Sequence, residues 1–462
     1  MKTVSKVIPE LDPEFAPAAL WNKSFQAKVA QSKKPQTVLF TIIRPDGTGS
    51  RFTTEILPLT SENSSLNLRY LERTLKFLLW QRGGNEILIT GCDALTPVLA
   101  SLYSEMGARK FDHDFMGEKA FRSPLQVSSR SSEQVPYPKE TPITLGRHLD
   151  GCRIGFDHGG SDRKCAAVMN GEVVFSQEII WNPYFEEDAS YHLKEINDSL
   201  KQAAAHLPRV DAIGGSCAGI YVNNEVRVAS LFRGLSPEQF ESEARSIFSV
   251  LKRQWGDLPF EVVNDGEVTA LAGSMNMKSN AVLGIAMGTS EAVGYIDPNG
   301  NITPMLNELA FAPIDYRPDA PIDEWSGDRG CGVQYLSQQA VARLIPATPL
   351  QISSELPFAE QLVKEQEAMA QNNEHAAKIY RTIGVYLGYA IAHYAHFYQI
   401  EKILLLGRVT SGQGGNLIQA KAEEVLSTEF PALAQQIEIV IPDELEKRHG
   451  QAVAAASLPS IL

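Results

Sequence analysis

Four short stretches of this 462-residue chain combine acids, amides and glycines in ways that could handle phosphate. The first is Ile154-Gly-Phe-Asp157-His158-Gly159-Gly160-Ser161. Consecutive glycines between apolar runs let backbone N–H groups approach phosphate oxygens with no Cβ in the way, and Asp157 can hold a hydrated Mg²⁺. A hairpin turn is the plainer reading of the same residues. The second stretch is Glu261-Val-Val-Asn264-Asp265-Gly-Glu267, an apolar strand ending in an amide and an acid. A carboxylate at a strand's C-terminal end can take the proton from an attacking hydroxyl, as phosphoryl transfer requires, or can simply cap the next helix. The third and fourth, Gly284-Ile-Ala-Met-Gly288-Thr289-Ser290-Glu291 and Lys402 to Gly412 around Gly407, are apolar strands running into glycine turns. Taken alone, either is an ordinary strand–helix junction.

Strands and helices must bring these stretches together, and the pattern of apolar residues supplies them twice. Arg153–Asp157, Cys165–Met169 and Glu172–Glu178 read as one hairpin-rich start; Ala281–Ala286, Glu291–Ile296 and Asn301–Met305 read as another. Helical spacing follows each start, over Asp188–Ala205 and Pro237–Trp255, then within Phe358–Gln399 and over Gly415–Thr428, with a final helix at Gly450–Leu458. Upstream, Thr37–Ile43 and Arg51–Leu57 suggest a hairpin, Asn67–Gln81 a helix, Glu86–Thr90 a strand and Thr96–Met106 another helix, while the first ~35 residues show no sustained period. The Ser-, Pro- and Lys-rich run after Arg122 reads as a linker. The expected division is an N-terminal α/β domain over 1–121, a linker over 122–149, and two similar lobes over 150–279 and 280–462.

Composition narrows the function classes. Forty-two basic against fifty-five acidic side chains give a net charge of −13, which opposes nucleic-acid binding. Five scattered cysteines fit reduced thiols rather than a disulfide framework. No apolar run approaches the ~20 residues of a membrane span and Met1–Pro9 lacks a signal-peptide core, so a soluble, cytoplasmic protein is expected.

The order and spacing of the four stretches resemble the ROK family of sugar kinases and repressors, within the actin, Hsp70 and sugar-kinase superfamily. Asp157-His-Gly-Gly-Ser161 is similar to that family's Asp-x-Gly-Gly-Thr phosphate loop, Asn264-Asp265 to its catalytic pair, Met287-Gly288-Thr289 to its second phosphate loop and Leu406-Gly407 to its adenosine motif. The resemblance covers residue ~150 to the end. It implies an α/β fold of two RNase H-like, actin-like ATPase lobes, with the N-terminal domain as an addition. It also implies an ATP-dependent carbohydrate kinase. In that reading Asp265 is the general base, and Asp157 anchors Mg²⁺ through water. Gly159, Gly160, Ser161, Gly288, Thr289 and Gly407 hold ATP, while Asn264, Glu308, Ser216 and Gly219 orient a sugar or sugar-like substrate.

The chain departs from the family pattern in three places. Phe311, Glu324 and Ser326 stand at three of the four family zinc ligands and only Cys331 remains, so no zinc site is expected. Phe311 and Val333 replace two sugar contacts, a loss of ~3 kcal/mol or more for a glucose-like ligand. Glu291 enters the second phosphate loop, where a carboxylate ~4 Å from a phosphate charge costs about 4 kcal/mol per pair at an effective dielectric near 20, with Arg408 as the compensating cation. These departures keep open a ligand-binding protein without efficient kinase activity. A DNA-binding repressor, which needs an N-terminal winged helix-turn-helix, is disfavoured by the Thr37–Leu57 hairpin in that region and by the acidic balance; Arg69, Arg73, Lys76 and Arg82 otherwise read as a solvated helix face. The N-terminal domain could cover the cleft, form a homodimer or bind a second ligand.

Overall fold

The computed structural model describes residue 1, residues 3–139, 145–442 and 444–461, with side chains left aside over 444–449. Among the described residues, fifteen strands form four sheets. The hairpin β1 (Gln36–Ile43) and β2 (Gly49–Ile56) joins β3 (Glu86–Thr90) and β4 (Gln126–Ser129) in the order β2-β1-β3-β4. β4 lies inside the stretch expected to be a linker: Gln126 to Ser129 pair in parallel with Glu86 to Ile89, so their amides are spent on the sheet rather than on water. Residues 140–144 of that stretch lie outside the described residues.

The second sheet contains β5 (Cys152–His158), β6 (Asp162–Met169), β7 (Glu172–Ile180), β8 (Ala212–Cys217) and β11 (Phe260–Asn264), ordered β11-β8-β5-β6-β7; β9 (Ile220–Val222) and β10 (Glu225–Val228) form a separate ribbon. The last sheet runs β13-β12-β14-β15, from β12 (Val282–Met287), β13 (Glu291–Ile296), β14 (Lys402–Leu406) and β15 (Glu438–Val440). Both sheets open with a hairpin and add parallel strands beside its first strand. The strand expected at Asn301–Met305 does not form. Only Ile302 bridges, to Ile296 and Leu145. Pro304 lacks an amide, and the amides of Leu306, Asn307 and Glu308 donate instead to the carbonyls of Gln81 and Trp80.

Two helices join these sheets. Asp265–Met277 packs on β12 and β13, where Gly294 leaves room for the backbone at Gly266. The C-terminal helix Glu444–Ala456 lies on β5 and β8, where Gly155 and Gly214 face its carbonyls at Ala452 and Ala455. Gly214 and Gly215, just before the Ser216 that the resemblance assigns to the substrate, are strand residues spent on packing, Gly215 beneath the Phe156 ring.

The N-terminal unit shares an interior with the last sheet. One apolar cluster runs from Val7, Trp21 and Phe25 through Leu71 and Trp80 to Tyr335, Tyr386 and Ile403. A helix at Ala18–Gln31, in the stretch that showed no sustained period, buries Trp21, Phe25 and Val29 on one face. The Ser64–Arg82 helix is buried from Tyr70 to Gln81. Its basic residues are therefore not a solvated face. Arg73 and Lys76 lie inside, where Asp328 pairs with Arg73, Lys76 and Arg109, Lys76 also meets Asp112, and Glu72 meets Arg73 and Arg109. This network adjoins Cys331, 3.9 Å from the Ser326 hydroxyl, whose thiol burial pushes up to about 12. Phe311 packs nearby on Trp80 with tilted rings, 4.4 Å between centroids.

Burial alone would raise the Asp328 carboxyl, but Arg73, Lys76 and Arg109 hold it well below the usual carboxylate range. Its contribution is present above the ordinary carboxylate pKa and lost as pH falls below it. Asp328→Asn should destabilise the fold by about 3–5 kcal/mol, because it leaves buried cations uncompensated. Urea unfolding at pH 7 checks this.

Candidate functional site

The sheet order decides which acids meet. β8 lies between β5 and β11, with Asp157 opposite Ser216 and Ser216 opposite Val263. Asp157 and the end of β11 are thus two strands apart, on the order of 10 Å. The Ser216 hydroxyl donates to Asp157 Oδ1 at 2.6 Å, and Lys164 Nζ stands 3.9 Å from Oδ2. Ser216 is fully buried behind Asp157 and lines neither cavity described below. Lys164, the register partner of Asp157 on β6, also meets Asp162 at 3.2 Å; sequence reading assigned it no role.

Asn264, not Asp265, caps the Asp265–Met277 helix. Its Oδ1 accepts the Gly266 amide at 2.7 Å, and its Nδ2 donates to the Gly219 carbonyl at 2.7 Å. Gly219 sits at φ +130°, a backbone that favours glycine. The Asp265 carboxylate accepts only the neighbouring Gly266 amide among the described side-chain hydrogen bonds, at 3.0 Å. Burial, then the Asp157 charge, push Asp265 up to about 6. Burial, then Asp265, push Glu308 up to about 7. Burial also raises Asp157.

Neighbouring residues face two hollows. One, of about 200 Å³, is lined by Asn264, Gly219, Glu308 and Glu267 together with Arg44 and Phe121 of the N-terminal unit. The other, of about 300 Å³, is lined by Asp265, Thr269, Gly407 and Gln451. Gly407, at φ +91°, lies against the Met287 backbone, so the adenosine-like turn abuts the second phosphate-like turn. A Cβ at Gly159 or Gly288 would meet nothing closer than 3.6 Å, whereas Gly160 lies under the Tyr184 hydroxyl. Open space over Gly159 and Gly288 is what an approaching phosphate needs. Ser161 and Thr289 are exposed, and the Ser161 hydroxyl donates to Asp162 at 2.8 Å. A further hollow, of about 1140 Å³ along β15, is lined by Glu401, Glu423, Glu424 and Glu438 and holds none of these residues.

Glu291 corrects the expectation of a carboxylate facing phosphate. On β13 it shares the inward face with Val293 and Tyr295, and Tyr394 donates to it at 3.0 Å. Burial pushes it up to about 8, so it is largely uncharged at neutral pH. The compensating role given to Arg408 is not called for; that side chain is exposed.

Sequence reasoning missed Glu267. Asn307 Nδ2 donates to its Oε1 at 2.5 Å, the Tyr295 amide to its Oε2 at 3.1 Å, and Tyr398 fixes Asn307 from the other side at 2.6 Å. Asn307, at φ +53°, directly precedes Glu308. The signal available was a second acid two residues after Asp265, inside a motif that already held one.

The ROK family profile matches residues 153–458, two thirds of the chain. This protein belongs to the ROK family. A ROK family transcriptional regulator, homologous to the E. coli MLC protein, superposes with a TM-score of 0.53 at 20% identity, covering 67% of this chain and 78% of that one. The ROK hexokinase from Thermus thermophilus superposes with a TM-score of 0.51 at 14% identity, covering 66% and 97%. No curated protein matches the sequence. Both likenesses concern the fold, and the ROK match starts at Arg153, after the N-terminal unit that lines the smaller hollow.

Carboxyl-resolved NMR should place the Asp265 midpoint near 6. Asp157→Asn should lower it by removing the like charge. Glu267 and Glu291, both raised from 4.5 to about 8, add stability that is complete below 4.5 and lost as pH rises through about 8. Melting temperature should therefore fall between pH 5 and pH 9, and Glu291→Gln should flatten that fall.

Proposed function

We propose that this ROK family member is an ATP-dependent kinase of a sugar or sugar-like hydroxyl, built as two RNase H-like, actin-like lobes with Asp265 as general base. The observation that carries the reading is the position of Asp265. It follows Asn264 directly, so one residue faces the smaller hollow with Glu308 and the next faces the larger hollow with Gly407. A hydroxyl held on the first side and a phosphate on the second would meet at the carboxylate. A base near pH 6 is ionised at neutral pH and still basic enough to accept a proton from an attacking hydroxyl.

In this reading Asn264, Gly219 and Glu308 orient the substrate, and Ser216 supports Asp157 from behind. Gly159, Gly160, Ser161, Gly288, Thr289 and Gly407 hold ATP, with the open backbone at Gly159 and Gly288 nearest the phosphates. Asp157 suits a hydrated Mg²⁺: it is a raised, buried carboxylate with Ser216 on one oxygen, and no three metal-ligating side chains converge among the described residues. Mg²⁺ would neutralise phosphate charge. Lys164, beside Asp157 on β6, supplies a cation there.

The repressor reading draws less support. Arg73 and Lys76, which it would use, are buried in ion pairs, and Arg69 donates to the Tyr316 carbonyl. No helix among the described residues is long and apolar enough to cross a membrane.

The test is ADP release with Mg·ATP and a panel of hexoses, N-acetylated amino sugars and polyols. Asp265→Asn should lower kcat by about 10²–10⁴-fold. Since the base works ionised, kcat/KM should fall as pH drops below about 6. Turnover that survives Asp265→Asn removes this residue from the mechanism.

A further inference from the structure

The substrate hollow has a wall that the family motifs do not supply. Arg44 follows β1, and Phe121 lies at the end of the N-terminal unit; both line the hollow of Asn264 and Glu308. The Ser64–Arg82 helix fixes this wall with its last carbonyls, which have no partner within the helix. Trp80 accepts the Glu308 amide at 2.9 Å, Gln81 accepts the amides of Leu306 and Asn307, and Arg82 accepts Arg44 Nη2. Gly83, at φ +69°, ends the helix, and a Cβ there would collide with Phe121 at 2.8 Å.

Arg44 is short of partners. Its Nη2 meets the carbonyls of Arg82 and Pro304, and its Nε is buried with none. None of the salt bridges among the described residues includes it, and Asp46 acts only from further off. Burial pulls it down to about 10, still fully charged at neutral pH. The acids facing the same hollow are Glu261, Glu267 and Glu308. Glu267 stays largely protonated at neutral pH and Glu308 partly so, while Glu261 receives the Asn224 amide at 3.3 Å. A half-buried guanidinium on the wall of the hollow, in no ion pair among the described residues, is completed by an anion.

We propose that the N-terminal unit forms part of the substrate site and that Arg44 binds an anionic group, carboxylate or phosphate, carried by the carbohydrate. Phe121 offers an apolar face to the ring. This rests on the carbohydrate reading above and narrows it to sugar acids or sugar phosphates.

Calorimetric titration of the full chain with glucose, gluconate, glucuronate and glucose 6-phosphate tests it without turnover. At least one charged sugar should bind about tenfold or more tighter than glucose. The two carboxylates against the phosphate identify the anion. Arg44→Gln should abolish that preference, and Arg44→Lys should keep part of it. Equal affinity for glucose and every charged sugar overturns the proposal, and that comparison needs only the unaltered protein. A preference that survives Arg44→Gln overturns it too. Glucose binding that Arg44→Gln leaves unchanged, with no gain for charged sugars, overturns this proposal and spares the carbohydrate reading; absence of binding by all four overturns both.

Discussion

The withdrawal of the Asp265 carboxyl from water, with the like charge of Asp157 added to it, is the constraint on which the candidate site depends. Asp157 and Asp265 stand at the C-terminal ends of β5 and β11, and a single strand between them keeps them near enough to feel each other. Neither burial nor a like neighbour favours ionisation, so the pair holds basicity that a surface aspartate lacks. The surroundings preserve that condition. Ser216 gives one hydrogen bond, Lys164 stands at the edge of ion-pair range, and Asn264 spends its amide on the helix cap and Gly219 rather than on Asp265. The glycines of β5 and β8 serve the same end by letting the C-terminal helix lie directly on the two strands.

The N-terminal unit is bound to this arrangement at two levels. Its apolar residues continue the core of the last sheet, and its ion pairs fasten the segment around Asp328 and Cys331. The end of the Ser64–Arg82 helix then holds the backbone of Glu308. Hydrogen bonds to an acid's own amide set where it stands more firmly than contacts to its side chain, because they fix the chain itself. The loss of Glu308's backbone contacts would thus reach the hollow lined by Asn264 and Glu308 without any change at Asp265.

Much of the site was legible because its residues lie at strand ends with glycines beside them, and such positions combine a short apolar run with an abrupt change to acid or amide. Asp157, Asn264, Asp265 and Gly407 were read that way. The helix at Ala18–Gln31 escaped because it has no side-chain cap, and its apolar residues mix with Lys and Gln. Arg73 and Lys76 misled because a basic residue on a helix usually meets water, and their partners Asp112 and Asp328 are remote in sequence. Glu291 misled for another reason. Its motif pointed to a loop, whereas the alternation Glu291, Val293, Tyr295 put it on the inward face of a strand, and that period was there to be counted. The strand expected at Asn301–Met305 failed because its neighbours' amides found helix carbonyls 220 or so residues upstream, a pairing no local pattern announces.

Mn²⁺ bound with a non-hydrolysable ATP analogue tests most directly whether Asp157, Asp265 and the two glycine turns serve one nucleotide. Its unpaired electrons broaden NMR signals only nearby, so amide signals of the full chain report the metal's place. The account predicts broadening at Gly159, Gly288 and Asp265, relieved in Asp157→Asn. Broadening centred instead on the acidic hollow along β15, or spread with no preference for these residues, would contradict it.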